Sequence, residues 1–487
     1  MNYRMVFNTT GKVLSVESVL LLFPMLVAII YAEWWQAVAF LITAGIALVL
    51  GVGLFVLCKP KNQFIFAKEG LITVALAWIS VSVLGALPFV ISGEIHNYVD
   101  AFFETVSGFT TTGASILTDV ESMSRGMLFW RSFTHWIGGM GVLVFILAIA
   151  NKNPNNRSMH ILRAEVPGPI VDKVAPKMKD TALALYLIYI VMTAVLVILL
   201  LLGGMPLYDS LVHAFGTAGT GGFGIKADSI AQYNAYLQWV IAIFMLLFGI
   251  NFNLYYCIII KKVSSFFKSR ELWVYCGIIL CATTIVCLNI YQLYGSFEET
   301  VRTSLFQVAA IITTTGYSTA NFAEWSAMAR AVLLLLMFTG ACAGSTGGGF
   351  KISRIMILVK KIINDLKCVI HPRTARVVKF EGKRLDEETL NGVSSYLTVY
   401  VFIFLCIFLL LSLDTGIDPT YAMETNFSAA ASCFNNIGPG FALVGPMESY
   451  AIYSPFSKII LSVAMLLGRL EIYPILVALN VTTWIKK

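Results

Sequence analysis

The sequence predicts an all-α integral membrane protein. Four pseudo-repeated units, each a helix, a half-helix with its filter loop, and a second helix, surround a central pore, preceded by an N-terminal two-helix hairpin. Three observations predict it. The 487 residues are 58% hydrophobic and 13% charged, against roughly 25% charged in soluble domains. Apolar runs of about 20 residues, the length that crosses a bilayer, recur along the chain. Four short stretches, Thr110 to Ala114, Gly219 to Phe223, Thr313 to Tyr317 and Asn435 to Pro439, read TTTGA, GTGGF, TTTGY and NNIGP, each between two long apolar runs.

Ten long spans are expected, near residues 16 to 34, 36 to 57, 71 to 92, 127 to 150, 182 to 203, 236 to 260, 272 to 294, 327 to 363, 394 to 413 and 456 to 484. Residues 1–70 form the extra hairpin, peripheral to the repeats. The N-terminus is polar up to Gly11 and its first apolar run leads straight into a second, which reads as an anchor rather than a cleavable signal. The repeats occupy 71–150, 182–262, 272–363 and 394–487, with basic cytoplasmic loops at 151–181 and 364–393.

Lys and Arg concentrate in alternate segments. Segments 59–70, 151–181, 261–270 and 351–392 carry 3, 6, 4 and 10 of them, whereas 91–126, 204–235, 295–330 and 414–458 carry 1, 1, 2 and 1. By the cytoplasmic bias of Lys and Arg, the four loops enter from outside and both termini are cytoplasmic. Topology accounts for the net charge of +7, so the partner it implies is the lipid bilayer and no nucleic acid. The nine cysteines sit mostly in apolar runs without metal-ligand spacing and read as small hydrophobes.

The loops align on their fourth residue, Gly113, Gly222, Gly316 and Gly438. Thirteen residues earlier stand Asp100, Asp209, Thr303 and Thr425, which favour a helix N-cap. Six residues before the glycine the residue is small (Ser107, Gly216, Ala310, Ser432), and two before it is polar (Thr111, Thr220, Thr314, Asn436). The segment from cap to loop, about nine or ten residues, rises about 14 Å as a helix, half a membrane. Irregular backbone at that depth must line a cavity.

A half-helix running inward turns its partly negative C-terminus to the bilayer centre, where it favours a cation. Between the fourth residue before each glycine and the second after it there is no carboxylate. Backbone carbonyl and hydroxyl oxygens then select the ion, which favours a monovalent cation over calcium.

On these four aligned loops the chain resembles the Trk/Ktr/HKT potassium transporter superfamily, whose subunit packs four diverged copies of the potassium-channel unit around a pseudo-fourfold pore. The resemblance covers about residues 71 to 485, and the extra hairpin is similar to the TrkH branch. It implies that potassium is coordinated by Thr111 and Thr112, Thr220 and Gly221, Thr314 and Thr315, and Asn436 and Ile437. Relatives with serine in place of the first-repeat glycine carry sodium, so Gly113 points to potassium. The fourth loop, NNIGPG, departs most from the channel pattern yet is also TrkH-like. The resemblance further implies a homodimer and a cytoplasmic ring of TrkA-type subunits binding NAD(H) or ATP.

Two features accompany the loops. The run 327–363 is too long for one span, and its middle carries Gly344, Ser345, Thr346, Gly347, Gly348 and Gly349. Each helical glycine costs about 1 kcal/mol against alanine, so a break is expected there, a loop that gates the pore as in the resembling family. Arg469 stands midway along the last expected span, where a charge needs a cavity or a partner. It reads as a pore barrier or a latch for the glycine loop, and Glu471, two residues on, is a poor intrahelical partner. Arg131, near the outer end of its span, is expected to snorkel, and His135 and His213 to pack in the core. The expected function is potassium uptake across a prokaryotic plasma (inner) membrane, with no enzymatic activity. A sodium-permeable or Na+/H+-coupled transporter on the same scaffold is the alternative. A transporter with inverted repeats would not bring all four loops in from one side, and no membrane carboxylate pair or nucleophile elbow marks an enzyme.

Overall fold

A computed structural model of the chain describes residues 1–60, 66–141, 178–371 and 377–484. The expected loop 151–181 falls almost wholly outside these residues, as does the end of the expected span 127–150. The protein is mostly helical. In chain order the described helices are α1 (Tyr3–Leu20), α2 (Leu22–Ile30), α3 (Trp34–Leu57), α4 (Ala67–Gly85), α5 (Leu87–Ser92), α6 (Tyr98–Phe109), α7 (Arg125–Gly139), α8 (Met178–Leu202), α9 (Leu207–Gly219), α10 (Ala235–Phe248), α11 (Phe252–Ile259), α12 (Val263–Lys268) and α13 (Arg270–Ile290). They continue with α14 (Phe297–Ile312), α15 (Ala327–Met337), α16 (Ile352–Ile370), α17 (Glu387–Leu411), α18 (Pro419–Asn435), α19 (Pro455–Arg469), α20 (Tyr473–Leu479) and α21 (Val481–Trp484). A small hairpin pairs β1 (Lys379–Phe380) with β2 (Lys383–Arg384).

Among the described residues six helical stretches are long and apolar enough to cross a membrane, α1 with α2 and α4 with α5 each counting as one, seven if α10 and α11, bent by 90° at their junction, count as one span. Four of the ten expected spans are therefore not among the six. The break inside 327–363 falls where the glycines place it, between Met337 and Ile352. The other three were not anticipated: α7 stops at Gly139, α10 at Phe248 and α19 at Arg469. The last of these corrects the position of Arg469, which ends a helix instead of sitting inside one; Glu471 and Ile472 follow at φ +54 and +67. All four helices that follow a repeated loop thus break after 11 to 15 residues.

The N-terminal segment also differs from expectation. The polar stretch before Gly11 is already helical, because Asn8, Thr9 and Thr10 are buried and Asn8 donates from Nδ2 to the Phe55 carbonyl at 2.8 Å. Helices α1 and α3 cross closely. A Cβ on Gly51 would lie 2.6 Å from Ser15 Oγ, and one on Gly11 2.7 Å from the Gly51 carbonyl oxygen.

The N-terminal segment also finishes helix α7. Glu33 accepts from the backbone N–H groups of Arg125 at 2.8 Å and Gly126 at 2.9 Å, satisfying two of the four free donors that open α7. A carboxylate there also meets the positive end of the helix dipole. Glu33→Ala should lower stability by about 0.5–2 kcal/mol. Thermal unfolding of the purified protein in detergent measures it, and an unchanged midpoint would show that α7 starts without help from that segment.

Candidate functional site: four loops in a closed ring

The short helices α6, α9, α14 and α18 deliver the four loops. Their starts correct the sequence reading: the N-cap positions are Asn97, Pro206, Ser296 and Asp418, and the helices run 12, 13, 16 and 17 residues. Asn97 accepts from Val99 N, Ser296 from Glu299 N and Asp418 from Thr420 N. The expected caps have other work inside the helices. Asp100 pairs with Lys458 Nζ at 2.7 Å, Asp209 accepts from the Tyr233 hydroxyl at 3.0 Å, and Thr303 and Thr425 are buried.

Each helix ends in the same way. The N–H of Thr112, Gly221, Thr315 and Ile437 donates to the carbonyl of Ser107, Gly216, Ala310 and Ser432 at 2.9, 2.8, 2.8 and 3.0 Å. The N–H before each, of Thr111, Thr220, Thr314 and Asn436, reaches the carbonyl three residues back at 3.1, 3.1, 3.1 and 3.3 Å. This pair of bonds is a Schellman closure, which requires a left-handed residue at its turn. Thr111, Thr220, Thr314 and Asn436 supply it at φ +55, +55, +58 and +57. The aligned small and polar positions are therefore the acceptor and the turn of one repeated motif.

Beyond the turn the glycines also take positive φ, +81, +81, +79 and +108. There the four loops meet in cyclic order. A Cβ on Gly113 would lie 2.0 Å from the Gly221 carbonyl oxygen, on Gly222 2.1 Å from that of Thr315, on Gly316 2.0 Å from that of Ile437, and on Gly438 2.8 Å from that of Thr112. Loop one touches loop two, two touches three, three touches four, and four returns to one. All eight residues expected to coordinate the ion, Thr111, Thr112, Thr220, Gly221, Thr314, Thr315, Asn436 and Ile437, are buried in this ring. Thr111 Oγ1 and Asn436 Oδ1 have no hydrogen-bond partner among the described residues. A cavity of about 200 Å³ is lined by the four glycines.

The glycine loop between α15 and α16 packs on the helix-end side of the ring. Gly348 N donates to Thr314 Oγ1 at 2.7 Å, and a Cβ on Gly347 would lie 2.8 Å from the Thr313 carbonyl oxygen. The loop is tied to its surroundings by Cys342 N to Gly249 O at 3.1 Å, Phe252 N to Gly344 O at 3.0 Å and Ala343 N to Glu271 Oε1 at 2.8 Å. Lys351 Nζ reaches back to Gly347 O. Arg469, 7% exposed, donates to Thr346 O at 2.8 Å, to Gly139 O at 2.9 Å and to Gly138 O. One guanidinium thus joins the glycine loop to the carbonyl end of α7, where a cation is favoured. Glu471 pairs instead with Arg354 of α16.

Arg131 corrects a further expectation. It does not snorkel: it is 3% exposed and pairs with Glu104 of α6 at 2.7 Å. His135 is fully buried behind the loops and accepts at Nε2 from Phe223 N at 3.3 Å. Its Nδ1 lies 2.7 Å from Gly108 O and so carries the proton. His213 is likewise buried, 3.2 Å from the Tyr233 hydroxyl. Sequence reasoning also missed the glycines that let the second helices close on the loops. A Cβ on Gly138 would lie 1.9 Å from the carbonyl oxygen of Phe109, and one on Gly468 2.1 Å from that of Phe434. A glycine late in the helix after loops one and four was the available signal.

Known proteins resemble the whole chain. A family model described as "TrkH: Cation transport protein" matches residues 36–483. The Trk system potassium uptake protein TrkH of Escherichia coli (strain K12) is 33% identical over 490 residues, covering 99% of this chain and 100% of its own. Its counterpart in Vibrio parahaemolyticus is 32% identical over 492 residues, with coverage of 99% and 100%. The crystal structure of the potassium transporter TrkH from Vibrio parahaemolyticus superposes with a TM-score of 0.88 at 30% identity, covering 100% of both chains.

Close approach at Gly138 and open space at Gly45, where a Cβ would meet nothing within 4 Å, give a matched pair of variants. Gly138→Ala should cost about 1–3 kcal/mol by overpacking, whereas Gly45→Ala should gain about 1 kcal/mol of helix propensity. Thermal unfolding in detergent compares them, and equal midpoints would refute the close approach.

Proposed function

Because the chain belongs to the TrkH family of cation transport proteins, we propose that it takes up potassium across the inner membrane of a prokaryotic cell through the ring of four loops. The closed cyclic contact of the loops carries this reading. A dehydrated cation needs oxygens on all sides to replace its water, and four loops supply them from backbone and side chain without a carboxylate. The carbonyl ends of four helices add a favourable field. Thr111, Thr112, Thr220, Gly221, Thr314, Thr315, Asn436 and Ile437 coordinate the ion, while Gly113, Gly222, Gly316 and Gly438 set the spacing of the ring.

The repeats at 71–150, 182–262, 272–363 and 394–487 are the four pore units, with the loops facing outward and both termini cytoplasmic. The glycine loop, Gly344 to Gly349, is the gate. Its bond from Gly348 N to Thr314 Oγ1 places it against the ring, and Arg469 latches it through Thr346 O. The chain works as a homodimer with a cytoplasmic TrkA-type ring that binds NAD(H) or ATP, which turns nucleotide state into gate position.

Growth at low potassium of a bacterium lacking its own potassium uptake tests the function, with the regulatory partner supplied. No rescue by inserted protein would overturn it. In liposomes, ⁸⁶Rb⁺ flux should exceed ²²Na⁺ flux, and Gly113→Ser should lower that ratio by about tenfold, a change of about 1.4 kcal/mol. Equal fluxes in the unchanged protein would favour the sodium-permeable alternative. Arg469→Ala should raise flux of both ions and leave their ratio as it was; unchanged flux would count against the latch.

A further inference from the structure

We infer that the buried pair of Arg131 and Glu104 is a selectivity determinant, holding the outer ends of loops one and two at the spacing that fits the ion; this rests on reading the ring as a filter. Neither side chain touches the ring oxygens. They are positioning residues.

The Glu104 side chain is fully buried and the Arg131 side chain is 2% exposed. Its Oε1 accepts from Arg131 Nε at 2.8 Å and Ser115 Oγ at 3.0 Å, with Arg131 Nη2 in ion-pair contact at 2.7 Å, and its Oε2 accepts from Ile116 N at 3.0 Å. Ser115 and Ile116 are the residues by which loop one leaves the ring, so the carboxylate of α6 fixes its own loop's exit. The guanidinium extends the tie to loop two: Nη1 lies 3.5 Å from the Gly224 carbonyl oxygen, and the group stacks 4.1 Å over the Phe223 ring. Ser115 also receives Arg131 Nη2 at Oγ and Tyr450 N, from the chain after loop four, at its carbonyl. One ion pair therefore braces two of the four junctions.

The matching positions of the other three loops and their helices carry no such pair. Nine residues before the ring glycine, where repeat one has Glu104, the chain has His213, Gln307 and Ala429. At the place of Arg131 in the following helix, its seventh residue, stand Ile241, Leu333 and Leu461, each fully buried. A desolvated pair is a costly way to fill a core, and apolar residues of similar volume usually serve as well or better for stability. What the pair adds is fixed geometry, since Arg131 Nε and Nη2 converge on the one carboxylate oxygen that also accepts from Ser115, while the other oxygen holds Ile116 N.

The test is the ⁸⁶Rb⁺ to ²²Na⁺ flux ratio of full-length protein in liposomes, with monodispersity and thermal midpoint recorded. Arg131→Lys keeps the charge and loses the fork. The double variant Glu104→Gln with Arg131→Met removes both charges and keeps the volume. Both should lower the ratio by about tenfold, equivalent to about 1.4 kcal/mol, with rubidium still carried. Ser115→Ala keeps the pair, removes one hydroxyl from a half-buried position, and should lower the ratio about twofold. Unchanged ratios in Ser115→Ala and in whichever pair variant is monodisperse overturn the inference, as does an unchanged Ser115→Ala ratio if neither pair variant folds. An unchanged protein with equal rubidium and sodium fluxes would instead remove the filter reading on which it rests.

Discussion

The contact on which the rest of the structure depends is a backbone carbonyl oxygen lying against the α-carbon of a glycine in the next chain segment, made four times around a ring. Its distances leave room for hydrogen and nothing larger: three of the four ring glycines would put a Cβ within about 2 Å of a neighbouring oxygen. Among the described residues a side-chain hydrogen bond accompanies the contact between loops four and one, Asn436 Nδ2 donating to Thr112 Oγ1 at 3.0 Å, and the rest of the ring is held from outside. The Schellman closures aim each loop, the second helices press on the helix ends through Gly138 and Gly468, and the buried pair of Glu104 and Arg131 clamps one side. Dispersion and polar contacts in this second layer set most of a geometry that the ring's one side-chain bond between loops does not set alone.

Much of this was legible before any coordinates. Composition gave the membrane, and the aligned glycines gave four loops whose small and polar neighbours are the acceptor and turn of one motif. The cluster Gly344 to Gly349 marked a break that falls between Met337 and Ile352. Helix starts were less legible because Asp and Thr are compatible with both a cap and a first turn. Asp100 was read as a cap, but its carboxylate is paired with Lys458, 358 residues away. The breaks after Gly139, Phe248 and Arg469 were invisible for a related reason: a hydropathy run records that residues are apolar, not where their helix ends.

Arg131 shows the same limit most plainly. A charge near a span end is ordinarily solvated by reaching outward, and nothing within its own helix argues otherwise. Its partner lies 27 residues earlier on a different helix. Arg469 was flagged because its depth left no such exit, and it meets three carbonyl oxygens on two separate segments. Depth in the bilayer was the readable quantity, and pairing across helices was not.

The left-handed turn residues divide the ring in a way that its spelling conceals. Threonine, branched at Cβ, rarely adopts positive φ, whereas asparagine does so several times more readily than most residues. Loops one, two and three each hold a threonine there; loop four holds Asn436. The loop that diverges most in letters is thus the one whose backbone rests easiest, while the three that look most alike share a conformational tension. A structure whose four corners are unequally wound has a preferred place to relax, and the fourth corner, the one already at ease, can keep its shape while the others yield.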